Sequence, residues 1–427
     1  MSLQEPNPPL YHLVLSAWMR LFGTGEAAVR LLSVFAGTVY LPATCVLARR
    51  LFTWRVALIA SMLAAVNPFL VWYSQETRMY ALVATLSVAA MYCFLRAMDT
   101  QRWRWWLAYS LATVASLYTH LYAVFLLPAE LLYMLAWSWR RRSIPWRGVL
   151  AWSLSLLCFS PWLWSAWAVS GATPSWRPSI GVAGMVISCL EAFTQRGVAQ
   201  EGAVLRIALA ATGALVLVGL GASAGAGARG LRTAWRRSDL LPGLFLTATL
   251  LVPLLSVYVL SFRLQIFAVY YLIIIVAPFV LALATGVDWI ASAQRWVGLV
   301  LLVGVMAVFS YGLLHNWTPE SRKEEWRAAA SYVAQHARPG DAVLCHADYT
   351  WIPFTYYFGH GLPLFAPFGG PVGERGDVAD RLQPLTGYDT VWLVQSHIGA
   401  VDPDRRVEGW LASTFPTVTE QYPPGVE

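Results

Sequence analysis

Apolar stretches of about 20 residues recur along the first three quarters of the chain, at 30–48, 56–74, 79–97, 105–120, 121–139, 148–168, 203–221, 240–260, 266–286 and 296–314. That is the length an α-helix needs to cross the hydrocarbon of a bilayer, because only a helix satisfies its own backbone there. The pattern predicts an α-helical polytopic membrane domain of about ten spans over residues 30–314. Residues 10–22 (LYHLVLSAWMRLF) are too short to span and carry His12 and Arg20. Together with residues 1–9 they predict an outer loop with an interfacial amphipathic helix over 1–29.

Beyond residue 314 the pattern changes to short apolar strands between helical segments. Residues 324–337 have helical spacing, Arg338-Pro-Gly-Asp341 is a stop and turn, and 342–347 (AVLCHA) form a buried strand. Further strands are expected at 362–366 and 390–395 (TVWLVQ), and helices at 352–357 and 405–415. The alternation predicts a small soluble α/β domain over 315–427, with a few parallel strands covered by helices.

Composition and charge sharpen this picture. Of the 427 residues 58% are hydrophobic and only 12% charged, about half the charged share of a soluble domain, which excludes a soluble enzyme and a disordered chain. Residues 1–314 hold 22 of the 30 basic and 9 of the 23 acidic residues, whereas the tail is net acidic. Fifteen arginines fall in alternate loops: Arg49, Arg50, Arg55; Arg96, Arg102, Arg104; Arg140, Arg141, Arg142, Arg147; Arg229, Arg232, Arg236, Arg237; and Arg295. Seven lie at the opposite borders: Arg20, Arg30, Arg78, Arg177, Arg196, Arg206 and Arg263. The positive-inside rule makes the first set cytoplasmic and puts the N-terminus and the acidic tail outside the cytoplasmic membrane. Such an N-terminus needs an exported start, yet residues 1–5 have no signal character, so an upstream helix missing from this chain is expected. Arginines clustered between apolar runs speak for orientation and against nucleic acid as a partner. Five isolated cysteines suggest no disulfide framework.

Polar residues collect at the predicted outer helix ends. Residues 5–12 open with a proline-fixed turn, 67–80 run from one helix end through a very short loop into the next, and Tyr118-Thr-His-Leu-Tyr122 is a hairpin with almost no loop. Glu76 and Arg78 are the sharpest pair. They are either an interfacial pair reaching for water, or a carboxylate that removes a proton beside a guanidinium that grips a phosphate. His120 is either a packed border histidine or part of the same cavity. Glu130, inside an apolar run, reads better as a helix-to-helix hydrogen-bonding carboxyl. Arg263 is an interfacial anchor or a ligand of lipid phosphate. His346, Asp348, His360 and His397 lack the spacing of a metal site, and no metal is expected.

Several of these segments together resemble a known family. Asn7-Pro-Pro-Leu-Tyr11, Trp18-Met-Arg-Leu-Phe-Gly23, 26–32 (EAAVRLL), 67–82 (NPFLVWYSQETRMYAL) and Tyr118-Thr-His120 are similar to bacterial protein O-mannosyltransferase-like glycosyltransferases of the GT-C class, glycosyltransferase family 39. Glu325-Trp-Arg-Ala-Ala329 and Arg338-Pro-Gly-Asp341 are similar to the opening of that family's soluble domain. The resemblance implies a multi-pass membrane enzyme that moves a sugar from a polyprenyl-phosphate donor to an acceptor glycan, lipid or protein at the outer membrane face. It implies Glu76 as the acidic residue of the second outer loop, with Glu5 the only acidic residue near the family's other position. Arg78, His120, Arg263, Tyr80 and Tyr118 are placed with the donor phosphate, and Asn7, Tyr11 and Gln75 line the cavity. It implies no resident cofactor and leaves a divalent cation open. The family's Arg-Tyr pair entering a late helix is replaced here by Tyr270-Tyr271, which implies that a phosphate contact has moved to Arg263 or is lost. Rival readings are a transporter or flippase of lipid-linked glycans and a truncated, inactive paralogue.

Overall fold

Proline decides how the second apolar run folds. At Asn67-Pro68 the missing N–H and the ring's clash with the preceding turn weaken a continuous helix, and here the chain breaks, whereas Pro42, Pro161 and Pro253 sit inside unbroken helices. The computed structural model describes residues 8–169, 180–196, 202–225, 240–264, 266–318, 325–359, 361–369, 372, 375–396, 398–417 and 419. It splits the run expected at 56–74 into two helices bent by 58°. The chain divides into two compact units, Met1–Asn316 and Trp317–Glu427.

The first unit contains α1 (Leu10–Phe22), α2 (Glu26–Leu51), α3 (Trp54–Ala65), α4 (Pro68–Ser74), α5 (Tyr80–Thr100), α6 (Trp103–Thr119), α7 (Leu126–Arg141), α8 (Trp146–Val169), α9 (Val182–Thr194), α10 (Ala203–Ser223), α11 (Leu241–Leu264), α12 (Val276–Ala293) and α13 (Arg295–His315). Short 3₁₀ turns lead into two of them, Leu121–Phe125 before α7 and Val269–Ile275 before α12. Among the described residues eight helical segments are long and apolar enough to cross a membrane, or nine if the bent pair counts as one span. The remaining apolar run forms α6, 17 residues long. The 13-residue α9 was not expected as an element. The 13 residues of α1 are likewise short of a crossing length, and Leu21 and Phe22 at its end are exposed.

Helix α12 is the spine of this unit, with every residue from Val276 to Asp288 buried. Its closeness to α10 depends on two glycines facing each other. A Cβ added at Gly219 would lie 1.8 Å from the Ala282 carbonyl oxygen, and one at Gly286 would lie 2.5 Å from that of Leu215. In lipid, where no hydrophobic force draws helices together, such close backbone approach supplies the dispersion contact that holds them.

Five described arginines of the larger set, Arg96, Arg104, Arg141, Arg147 and Arg295, lie on tryptophan rings. Arg96 sits 5.2 Å from the Trp105 centroid, and Arg147 lies 5.2 and 5.3 Å from those of Trp103 and Trp146. Arg50 pairs with Asp99, joining the ends of α2 and α5. Arg229, Arg232, Arg236 and Arg237, and Arg177 of the smaller set, lie outside the described residues.

The second unit follows the order α14 (Trp326–His336), β1 (Ala342–Cys345), α15 (Asp348–Phe358), β2 (Leu364–Phe365), α16 (Arg375–Leu382), β3 (Val391–Val394), α17 (Ile398–Val401) and α18 (Arg406–Thr414). The strands form a parallel sheet in the order β2-β1-β3, with Val343 opposite Leu364 and Ala342 opposite Val391. A central parallel strand is covered on both faces, which is why AVLC is apolar without alternation. Ala342 and Leu344 pack with Val378, Leu382, Val407 and Leu411, while Val343 and Cys345 pack with Ala330, Val333 and Phe354. Burial pushes the Cys345 thiol up to about 11, opposed by Thr350.

The α10–α12 contact generates a test. Gly219→Leu should lower the thermal unfolding midpoint in detergent, since overpacking costs about 1–3 kcal/mol even where side chains can yield and here the neighbour is backbone. Gly304→Leu, where nothing lies within 4 Å of the added Cβ, should leave the midpoint unchanged.

Candidate functional site

Asn67 sets the site by completing the break that Pro68 begins. Its Oδ1 accepts the Leu70 N–H at 3.0 Å, capping α4, and its Nδ2 donates to the Phe193 carbonyl at 2.7 Å, fixing α4 to the end of α9. On its other side α4 lies against α2 at Gly37, where an added Cβ would meet Ser74 Oγ at 2.1 Å. The turn 75–79 that joins α4 to α5 is thus held from both sides.

Glu76 stands one helical turn beyond Trp72, whose Nε1 donates to Glu76 Oε1 at 2.8 Å. Arg78 keeps solvent contact, and its carbonyl accepts from Ser33 Oγ at 3.4 Å. The Tyr80 side chain lies beside its guanidinium. Burial opposes the Arg78 charge, but Tyr80 and Glu76 outweigh it and hold the pKa above its ordinary value. From α1, Tyr11 is buried with its hydroxyl near Ser33, Arg78 and Glu76, and burial pushes it up to about 12. Gln75 ends α4, its N–H bonding the Trp72 carbonyl at 3.0 Å, directly before Glu76.

Behind this turn lies a cluster of aromatic rings. Tyr80 lies 4.8 Å from Tyr73, 5.6 Å from Tyr270 and 6.1 Å from His120, centroid to centroid, and His120 is 4.7 Å from Tyr271. Buried His120 accepts the Tyr122 N–H at Nδ1 at 3.1 Å and caps the turn Leu121–Phe125, which leaves the ring proton of its neutral form on Nε2. The Tyr122 hydroxyl bonds the Ile266 carbonyl, tying this turn to the segment before α12. Tyr270 and Tyr271 therefore enter the same group.

The structure adds a cation that the sequence reading had counted only among border arginines. Arg196 follows α9 in the left-handed region at φ 48°, and its Cζ lies 3.1 Å from the Trp72 ring centroid. Its Nη1 donates to Asn316 Oδ1 at 2.7 Å. Burial pushes Arg196 down to about 10, against Tyr73 and Glu76, so it remains charged at neutral pH. No sequence signal joins residues 72, 196 and 316, because no periodicity reaches across such separations.

Other candidates lie apart from this group. The Tyr118 hydroxyl donates to the Cys158 carbonyl on α8 at 2.8 Å, and Arg263 is exposed in the last turn of α11. Glu130 accepts from the Tyr109 hydroxyl at 2.5 Å, a buried contact between α7 and α6 that uses its carboxyl structurally. Glu5, Asn7, His360 and His397 lie outside the described residues. His346 is buried, and among the described residues no three His, Cys, Asp or Glu side chains converge as a metal site.

Residues 6–165 match the family described as dolichyl-phosphate-mannose-protein mannosyltransferase, a stretch that holds Tyr11, Glu76, Arg78, Tyr80 and His120. No curated protein matches the sequence. Among solved structures, ArnT from Cupriavidus metallidurans bound to undecaprenyl phosphate is similar with a TM-score of 0.53 and 15% identity, over 99% of this chain and 87% of that one. AglB from Archaeoglobus fulgidus, an archaeal oligosaccharyltransferase in complex with an inhibitory peptide and a dolichol-phosphate, gives a TM-score of 0.54 and 12% identity over 88% and 58%. At these identities the likeness establishes the fold, which is GT-C-like, and the chain resembles that class of membrane glycosyltransferase.

Replacing the residue that fixes α4 tests the architecture of the site. Asn67→Ala removes one cap and one buried tie, each worth about 1 kcal/mol. It should lower the unfolding midpoint in detergent and increase proteolysis within 75–79, whereas Asn67→Ser, which keeps a capping oxygen and loses the donor to Phe193, should fall between.

Proposed function

We propose that the chain is a GT-C-type glycosyltransferase that moves a sugar from a polyprenyl-phosphate donor to an acceptor hydroxyl at the outer face of the cytoplasmic membrane. The observation that carries this reading is the turn between α4 and α5. A carboxylate oriented by an indole N–H stands two residues from a half-solvated guanidinium, inside the stretch that matches a mannosyltransferase family. The relatives of the same fold that are solved with undecaprenyl phosphate or dolichol-phosphate support a lipid phosphate as the donor's carrier. The arginine–tryptophan belt at the opposite end of the bundle supports the outer assignment, since that end carries the cytoplasmic signature.

Chemically, the transfer forms a bond between the acceptor oxygen and the anomeric carbon, and breaks the bond from that carbon to the phosphate oxygen. The acceptor's proton goes to the Glu76 carboxylate, and the electron pair of the broken bond leaves with the lipid phosphate. Arg78 opposes the charge that grows on this leaving group, with Arg196 as a second cation nearby. The tyrosine cluster confines the sugar and excludes water, so that an acceptor competes against hydrolysis.

The test is transfer of labelled sugar from polyprenyl-phosphate donors by the chain in lipid nanodiscs. Glu76→Gln should lower kcat about 10²–10⁴-fold, the usual contribution of a positioned base, without changing expression or elution. Arg78→Gln should raise the donor KM and lower kcat together. Undiminished turnover in Glu76→Gln would move the base elsewhere, and no transfer by the wild type from any such donor would sink the reading.

A further inference from the structure

Glu76 lies in a turn, yet it is tied to three elements distant in sequence. Trp72 Nε1 donates to its Oε1, Arg196 covers the face of that indole, and Asn316 Oδ1 accepts from Arg196. Buried Asn316, which directly follows α13, then donates from Nδ2 to the Pro68 carbonyl at 3.3 Å, at the start of α4. The contacts close a circuit through the two ends of α4, the end of α9 and the end of α13. Asn316 reaches Glu76 only through Arg196, Trp72 and α4, whereas Arg196 also acts on the Glu76 charge directly.

We propose that Trp72, Arg196 and Asn316 are positioning residues that aim the Glu76 carboxylate, coupling the end of the last membrane helix to the reacting group. This rests on the reading of Glu76 as the base. The physical cause is twofold. A half-buried carboxylate keeps its charge only if donors and cations replace lost water. A cation on an indole face also draws electron density from the ring and makes the N–H a stronger donor. The charged or titratable groups facing Glu76 are Tyr73 on α4, Arg78 on its own turn, Arg196 after α9 and Tyr11 on α1. The arginines stay charged and the tyrosines neutral through the acid range.

The experiment measures the pH dependence of kcat and donor KM for the nanodisc protein. Trp72→Phe keeps a ring beneath Arg196 and removes only the N–H. It should move the acid limb up by about one pH unit, as expected when a carboxylate loses one donor, with donor KM within about twofold. Asn316→Ala touches neither Trp72 nor Glu76 and should move the limb in the same direction, while Asn316→Asp, which keeps an acceptor for Arg196, should restore most of it. A limb unmoved in both Trp72→Phe and Asn316→Ala overturns the proposal, as does an effect confined to donor KM. Infrared titration of the Glu76 carboxyl, isolated by subtracting Glu76→Gln spectra, reads the same shift without substrate. A wild type that transfers no sugar therefore defeats the functional reading alone, and the infrared shift still decides the positioning.

Discussion

A proline in the middle of an apolar run removes one helical N–H, and at Pro68 the chain ends one helix and starts another inside the bundle. Asn67 resolves the break by capping the new helix with its oxygen and reaching Phe193 with its nitrogen. The 58° bend that results turns the last part of the run across the bundle. Glu76 and Arg78 are thereby carried on a turn packed between α2, α5 and α9. A straight helix of the same length would have placed these side chains elsewhere and left the ends of α9 and α13 without their contacts to α4.

Charge at this turn is arranged to survive partial burial. Each ionised group is offset by a neighbour of another type: Glu76 by the Trp72 N–H, Arg78 by Tyr80, and Arg196 by an indole face and the Asn316 oxygen. The tyrosines behind them differ in kind. Their rings pack against His120 at tilted or edge-on angles, and hydroxyls such as that of Tyr122 bind backbone, so they form a wall that shapes the space. At the arginine-rich end the guanidinium groups lie on tryptophan faces instead, an arrangement suited to an interface.

Much of the fold could be read along the chain. Crossing helices announce themselves through about 20 apolar residues each, and the AVLC strand and its helices in the tail follow from short-range period. Boundaries moved where tertiary contacts overrode the pattern. The run 56–74 broke because the consequence of Pro68 depends on whether a partner exists for the freed backbone groups, and Phe193 supplies the fixing contact. Helix α9 was missed because 13 apolar residues fall below crossing length and above strand length. Glu76, Arg78 and Tyr80 could be singled out because they lie within five residues in a short polar turn between apolar runs.

The sequence by itself determined which segments are helical in lipid, which end of the bundle carries the arginines, and which turn brings a carboxylate beside a guanidinium, since these depend on composition and spacing over short distances. Only the tertiary structure decided that Arg196 and Asn316 join that turn, that His120 is spent on capping, and that Tyr118 bonds to α8. Those outcomes depend on contacts between residues more than a hundred positions apart or on which way a side chain faces, and no local pattern records either.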